Sequence, residues 1–210
     1  MHVRSIDVST EIRLAVLGDW VPPQLADVLA IQRAEDPDTL AVLIDTAATG
    51  QQQERPGDGF DFALSAAHRE WPGWVCEPLW HDTLAVAVAK RSHLLAYREV
   101  PCQEALKQPL IYARSTAEES WRTLAQSAFE NELWDREAAV STFEVAMTLV
   151  AAGYGITVAP STRLAGYRCQ GIALRPLASA PMIVTAYLIR PDVALTEPQE
   201  DFLRRARSMS

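Results

Sequence analysis

Strand-like and helix-like patterns alternate between residues 12 and 65, and this alternation confines the chain to a small set of folds. The run IRLAVLG at 12–18 is apolar and closed by glycine, the pattern of a buried strand. A loop at 19–23 follows. Residues 23–34 then place Leu25, Val28, Leu29 and Ile31 on one side of a helix that starts on proline and is ended by Asp36-Pro37-Asp38. LAVLID at 40–45 is a second strand, continuous in hydrophobicity, which predicts cover on both faces. Gln51 to Glu54 fit a short helix, Pro56-Gly57-Asp58-Gly59 is turn chemistry, and FDFALS at 60–65 is a third strand. Strand, helix, strand, helix, strand is the right-handed crossover order of a parallel α/β sheet.

Two further strands are expected at 74–79 and 82–89, where the chain turns polar at Lys90-Arg91-Ser92-His93 and crosses to a second α/β unit. That unit has a short helix at 102–106 and a strand at 109–113. A helix to residue 130 follows, opened by Ser115 and Thr116 with Glu118 and Glu119 in capping-box spacing; Trp121, Leu124 and Phe129 are its candidate core contacts. A weak strand at 138–140 leads to a second capping box, Ser141 to Glu144, and a helix through residue 151 that Gly153 stops. Strands at 155–160, 172–177 and 182–189 and an amphipathic helix at 197–207, with Phe202 and Leu203 inward, complete the chain. The expected organisation is a linker tail at 1–11, lobe I at 12–89 plus 182–207, and lobe II at 90–181. This is an α/β protein of two Rossmann-like lobes with a two-strand hinge. Ligands of open α/β sheets sit at the carboxyl ends of the strands, so a solute-binding cleft between the lobes is expected.

Composition narrows the function. The 27 acidic against 19 basic residues leave a net charge of −8, which weighs against direct contact with nucleic acid. The Arg204, Arg205 and Arg207 cluster reads as neutralising the last turn of a helix. No stretch approaches the roughly 18 apolar residues of a membrane helix, so no membrane partner is expected. Cys76, Cys102 and Cys169 are too few and scattered for a disulfide framework, and the first ten residues lack the pattern of a signal peptide; together these point to a reducing cytoplasm. No nucleophile elbow, zinc-protease helix or phosphate loop is present, and Gly153 and Gly155 do not make a dinucleotide fingerprint. His68, His81 and His93 are dispersed; His81 and Asp82 are adjacent on a strand and point to opposite faces. No catalytic residue, metal site or cofactor is therefore expected, and the chain does not read as an enzyme.

The segments IRLAVLG, DPDTLAVLID, DGFDFALSA, EPLWHDTLAVAVAKRSHLLA and above all VAAGYGITVAP stand in an order and spacing that resembles the effector-binding domain of LysR-type transcriptional regulators, over residues 12–206. The resemblance implies a fold of the type II periplasmic-binding-protein kind, a small-molecule effector, and a homodimer or higher oligomer. It implies pairing through the helix around Leu25 to Ile31 of one copy and the segment Val145 to Val150 of another; the alternative is that both stripes are only core. DNA contact would fall to a winged helix-turn-helix that this chain lacks, so the chain is expected to be a piece of a longer regulator. A solute-binding protein or an enzyme on the same two-lobed fold is the alternative function.

The resemblance also implies effector-lining positions. These are Asp19 and Trp20 after the first strand, Thr46 and Thr49 after the second, and Ser65 and Ala66 at the end of the third. In the second lobe they are Arg114, Ser115 and Thr116 at one helix start and Thr142 and Phe143 at another. Ala47 and Ala48 depart from the Gly and Ser common in the family, and Ala66 cannot hold a carboxylate as an Arg does there in some relatives. Helix N-termini attract anions, and Arg114 beside Ser115 and Thr116 fits a bound carboxylate or phosphate; the expected effector is an organic acid. The competing reading is that Ser115 and Thr116 only cap the helix while Arg114 pairs with an acid. Trp20 fits a ligand platform or a loop anchor equally, and Phe143 a ligand contact or a core residue.

Overall fold

Buried apolar runs set the first sheet. In the computed structural model, which describes residues 10–18, 20–45, 59–114, 121, 123–125, 134, 136–167, 170–178 and 182–209, strand β1 (Thr10–Leu17) lies between β2 (Thr39–Asp45) and β3 (Phe62–Ser65) and is parallel to both. Helix α1 (Gln24–Glu35) supplies the crossover between β1 and β2. One face of this sheet carries Ile12, Leu14, Phe62 and Leu64, each no more than 2% exposed, against α1 and the last helix, α5 (Glu197–Ser208). Phe62 stacks on Phe202 at 5.3 Å, and the Trp80 indole N–H donates to Ala206 O at 3.1 Å. On the other face Ala15, Ala63 and Ile189 form the centre of a cluster with Leu17, Phe60, Trp71, Trp74 and Cys76. Asp61 ties these parts together: its carboxylate accepts from Arg13 N at 2.7 Å and from Gln199 Nε2 at 2.9 Å.

Strand β4 (Trp74–Ala89) is one strand of 16 residues where the sequence pattern predicts two. Pro78, His81 and Thr83, which interrupt the apolar run, are all exposed, so the ladder continues through them. After a 3-10 turn (His93–Ala96) come β5 (Val100–Pro101), α2 (Cys102–Leu106), β6 (Leu110–Ala113) and β7 (Glu137–Val140). Helix α3 (Phe143–Ala152), β8 (Thr157–Pro160), α4 (Ser161–Gly166), β9 (Ile172–Ala178) and β10 (Ile183–Pro191) follow.

The chain divides into two compact units, Met1–Trp80 with Ala186–Ser210, and His81–Thr185. The first holds the strand order β2-β1-β3-β10, with β10 antiparallel to β3. In the second, β4 pairs antiparallel with both β8 and β9, β9 pairs with β5, and β6 pairs in parallel with β7. The passages between units fall inside β4 and inside β10. The sequence pattern marked the polar end of a strand, at Ala89, and the turn before another, near Pro181; neither signal reports where a continuous strand changes its packing partners.

Three expectations are corrected. β2 is not covered on both faces: it is the edge of its sheet, and Leu40 and Leu43 are 48% and 47% exposed. The helix after β7 starts at Phe143 with Thr142 as its cap, accepting from Val145 N at 3.3 Å, rather than at a Ser141 capping box. Arg204, Arg205 and Arg207 serve more than the helix end, because each reaches a carboxylate: Asp201 at 2.8 Å, Glu35 at 2.9 Å and Glu77 at 2.8 Å. The chain 1–9 and the short helix expected at 51–54 lie outside the described residues.

Close backbone approach explains the Gly-Tyr-Gly segment. Gly153 takes a left-handed φ of 86° and its N–H closes α3 onto Val150 O. At Gly155 a Cβ would lie 2.2 Å from Pro109 O, because Ile156 next to it exchanges backbone hydrogen bonds with Pro109 and Ile111 at 2.9 and 2.8 Å. Thr157, fully buried, donates its hydroxyl to Ile111 O at 2.7 Å.

Candidate functional site

In the first unit the parallel register pairs Val16 with Asp45 and Leu17 with Ser65, so the carboxyl ends of β1, β2 and β3 lie at one edge of the sheet. Of the residues singled out there, Trp20, Ser65 and Ala66 are described; Asp19, Thr46 and Thr49 lie outside the described residues. Trp20 is 7% exposed. Ser65 is 5% exposed, and its hydroxyl is engaged locally: it donates to Ala67 O at 2.8 Å and accepts from Ala67 N at 3.1 Å. Ala66 is half-buried. The sequence reading missed Arg69, whose Nε donates to the Ser65 hydroxyl at 3.4 Å. No periodicity or motif in the loop Ala66 to Glu70 marks it. Tyr187, opposite Ser65 on β10, meets the His68 ring edge-on at 5.5 Å.

Cys76 stands beside this loop, accepting from Arg69 N at 3.5 Å. Burial pushes its thiol above the ordinary range, and the Arg69 N–H and charge, which pull the other way, do not offset it. The sulfur is therefore held as a thiol at neutral pH, the unreactive form.

In the second unit β6 and β7 are parallel with Ala113 opposite Val140, so their carboxyl ends bring Arg114 beside Ser141 and Thr142. Arg114 is exposed, and its N–H donates to Val140 O at 3.0 Å. Ser115 and Thr116 lie outside the described residues. Thr142 is exposed and spends its hydroxyl on the α3 cap. Phe143 is 5% exposed, with the Arg163 guanidinium 4.1 Å from its ring centre and Tyr167 edge-on at 5.6 Å. Arg163 also lies 5.1 Å from the Trp121 ring, a cation held between two aromatic rings.

Arg163 is carried by α4, a helix the sequence reading did not foresee. Its start is fixed from another strand: the Asp82 carboxylate accepts from Thr162 N at 3.0 Å, Ser161 Oγ at 2.6 Å and Thr162 Oγ1 at 2.5 Å. His81 turns instead to Thr185 Oγ1 at 3.1 Å, so His81 and Asp82 do not act as a dyad. Among the described residues no group of three or more His, Cys, Asp or Glu side chains converges as metal ligands, and no helix is long and apolar enough to cross a membrane. A groove of 610 Å³ lies in the second unit between residues 95–99 and 174–176 and includes none of the predicted site residues. Arg175 crosses it, bonded to Tyr97 O and Leu174 O at 3.2 and 2.9 Å.

The model of the LysR substrate binding domain matches residues 7–209. No curated protein matches the sequence. Among solved structures, the BenM effector binding domain with its effector benzoate is 18% identical, with a TM-score of 0.81 over 96% of this chain and 92% of that chain. The effector binding domain of QuiR in complex with shikimate is 18% identical, with a TM-score of 0.74 over 94% and 95%. Full-length CbnR complexed with its target DNA is 16% identical, with a TM-score of 0.76 over 96% of this chain and 70% of that chain. At these identities the likeness is one of fold, a mixed α/β arrangement of the type II periplasmic-binding-protein kind. Match and fold together place the chain in the family of LysR substrate-binding domains.

Proposed function

We propose that this chain is the effector-sensing part of a transcription regulator. It binds a small organic acid at the carboxyl-end loops of its strands and does not transform it. Occupancy controls a DNA-binding segment of the regulator in a cytoplasmic, oligomeric protein. The observation that carries the reading is the family match over residues 7–209. The Ser65 hydroxyl is tied to its own turn, and His81 and Asp82 have separate partners, so none of these three is paired as a catalytic dyad. Trp20, Ser65, Ala66, Arg114, Thr142 and Phe143 are proposed to line or shape the site, together with Asp19, Thr46, Thr49, Ser115 and Thr116. A second copy of the chain covers apolar surface at Leu43 and at Val145, which are 47% and 43% exposed.

A thermal-shift screen of metabolites tests this reading. A ligand at 100 times its Kd stabilises the folded chain by about 2.7 kcal/mol. A screen in which no small molecule raises the melting temperature contradicts it.

A further inference from the structure

Arg175 is a half-buried cation held by carbonyl groups alone among the described residues. Parallel pairing of Val100 with Leu177 sets the chain before β5 alongside β9, and the groove of 610 Å³ lies there, lined by residues 95–99 and 174–176. Arg175 crosses it, with Nε donating to Tyr97 O at 3.2 Å and Nη1 to Leu174 O at 2.9 Å. Two of the five guanidinium N–H groups are thereby spent, and those left on the Nη atoms meet no acceptor among the described residues. Other cations of the chain are treated differently: Lys107, Arg204, Arg205 and Arg207 each reach a carboxylate within 2.9 Å. In a chain with 27 acidic and 19 basic residues a carboxylate would be easy to supply, and carbonyl dipoles leave the charge itself unneutralised.

The rest of the lining narrows what the groove can take. Arg98 stands on the same wall as Tyr97, exposed and without a carboxylate partner among the described residues. Glu99 is the single acid of the lining, so two guanidinium groups outweigh one carboxylate. Leu95, Leu174 and Pro176 supply apolar surface, and 610 Å³ falls within the range of about 300–1,000 Å³ usual for small-molecule sites. A planar carboxylate is filled by one guanidinium fork. A phosphate monoester carries three terminal oxygens and up to two negative charges, and so accepts from two arginines at once.

We propose that this groove binds the phosphate group of a small phosphorylated molecule, with Arg175 and Arg98 on the phosphoryl oxygens and Leu95, Leu174 and Pro176 against its carbon part. The groove includes none of the residues expected to line the effector site, so it is a second site and does not depend on the first.

Phenyl phosphate is the probe, titrated calorimetrically beside inorganic phosphate, phenol and benzoate at matched ionic strength. The expected result is saturable binding of phenyl phosphate, weaker binding of inorganic phosphate, which lacks the apolar part, and none of phenol. Arg98→Gln, at an exposed position, is expected to weaken phenyl phosphate by about two- to fivefold, and Glu99→Gln to strengthen it by a similar factor. Arg175→Gln is expected to cost about tenfold or more, in line with a lost charge-assisted bond. Arg175 also fastens β9 to the turn at Tyr97; should Arg175→Gln fail to fold, the two exposed variants carry the test. Phenyl phosphate that does not bind, or that binds wild type, Arg98→Gln and Glu99→Gln equally, overturns the assignment. Benzoate whose affinity falls in Arg98→Gln as far as that of phenyl phosphate overturns the choice of phosphate over carboxylate.

Discussion

Replacing Arg205 by Met isolates the polar contacts through which a buried arginine fastens the terminal helix to α1. The Arg205 side chain is 5% exposed, donates to Gln32 Oε1 at 2.7 Å and to Glu35 Oε2 at 2.9 Å, and Gln32 is itself 1% exposed. Methionine fills the volume of the arginine stem, so the loss is chiefly polar. The orphaned Gln32 carbonyl costs about 1–3 kcal/mol, since its acceptor remains buried with no donor. Glu35 is 54% exposed and recovers water, so its share is no more than about 1 kcal/mol. The sum is about 1–4 kcal/mol, or about 2–16 °C in melting temperature for a chain of this size. Thermal and urea denaturation of Arg205→Met, Glu35→Ala and Gln32→Met measure it. Gln32→Met combined with Arg205→Met is expected to recover part of the loss, because both partners of the buried bond are then gone. A loss below about 1 kcal/mol for Arg205→Met, or an equal loss for Glu35→Ala, refutes the argument that the buried Gln32 acceptor sets the cost.

Three further outcomes follow from particular contacts. Gly155→Ala puts a Cβ 2.2 Å from Pro109 O and is expected to lower stability by more than about 3 kcal/mol, read as lost soluble yield or melting temperature, whereas Gly73→Ala, in open space at a φ of 76°, loses only about 1–2 kcal/mol. The Cys76 thiol is held above the ordinary 9.0 by burial, so its stabilising contribution is present below that pH and is lost as pH rises through the higher folded-state value. Iodoacetamide at pH 8 is therefore expected to alkylate Cys76 more slowly in the folded than in the urea-unfolded chain, and Cys76→Ser to flatten the alkaline decline; equal rates contradict this. Leu43→Lys or Val145→Lys is expected to convert a dimer to a monomer in gel filtration with light scattering, and an unchanged mass excludes these surfaces from the interface.

Much of the first unit was legible because its strands are long apolar runs and its turns carry Gly and Pro. The pattern at 12–18, 40–45 and 60–65 alone yields β1, β2 and β3 to within two residues. What escaped was decided at a distance. Helix α4 starts where the Asp82 carboxylate meets Ser161 and Thr162, a cap supplied from a strand far away in sequence. The continuity of β4 through Pro78 and His81 depends on those side chains facing solvent, and the exposure of β2 on its place at the sheet edge; neither is written in local hydropathy. The resemblance singled out Ser65 and Phe143 as candidates; their neighbours Arg69 and Arg163 emerge only when the fold sets one against the Ser65 hydroxyl and the other over the Phe143 ring.

Binding without turnover separates an effector-sensing domain from an enzyme on the same fold. Titration calorimetry of the best screened ligand, with proton NMR of the same sample before and after overnight incubation, distinguishes the two. The expected result is saturable binding to one site per chain and a ligand spectrum that does not alter. A new product signal that grows with time and with protein concentration contradicts it.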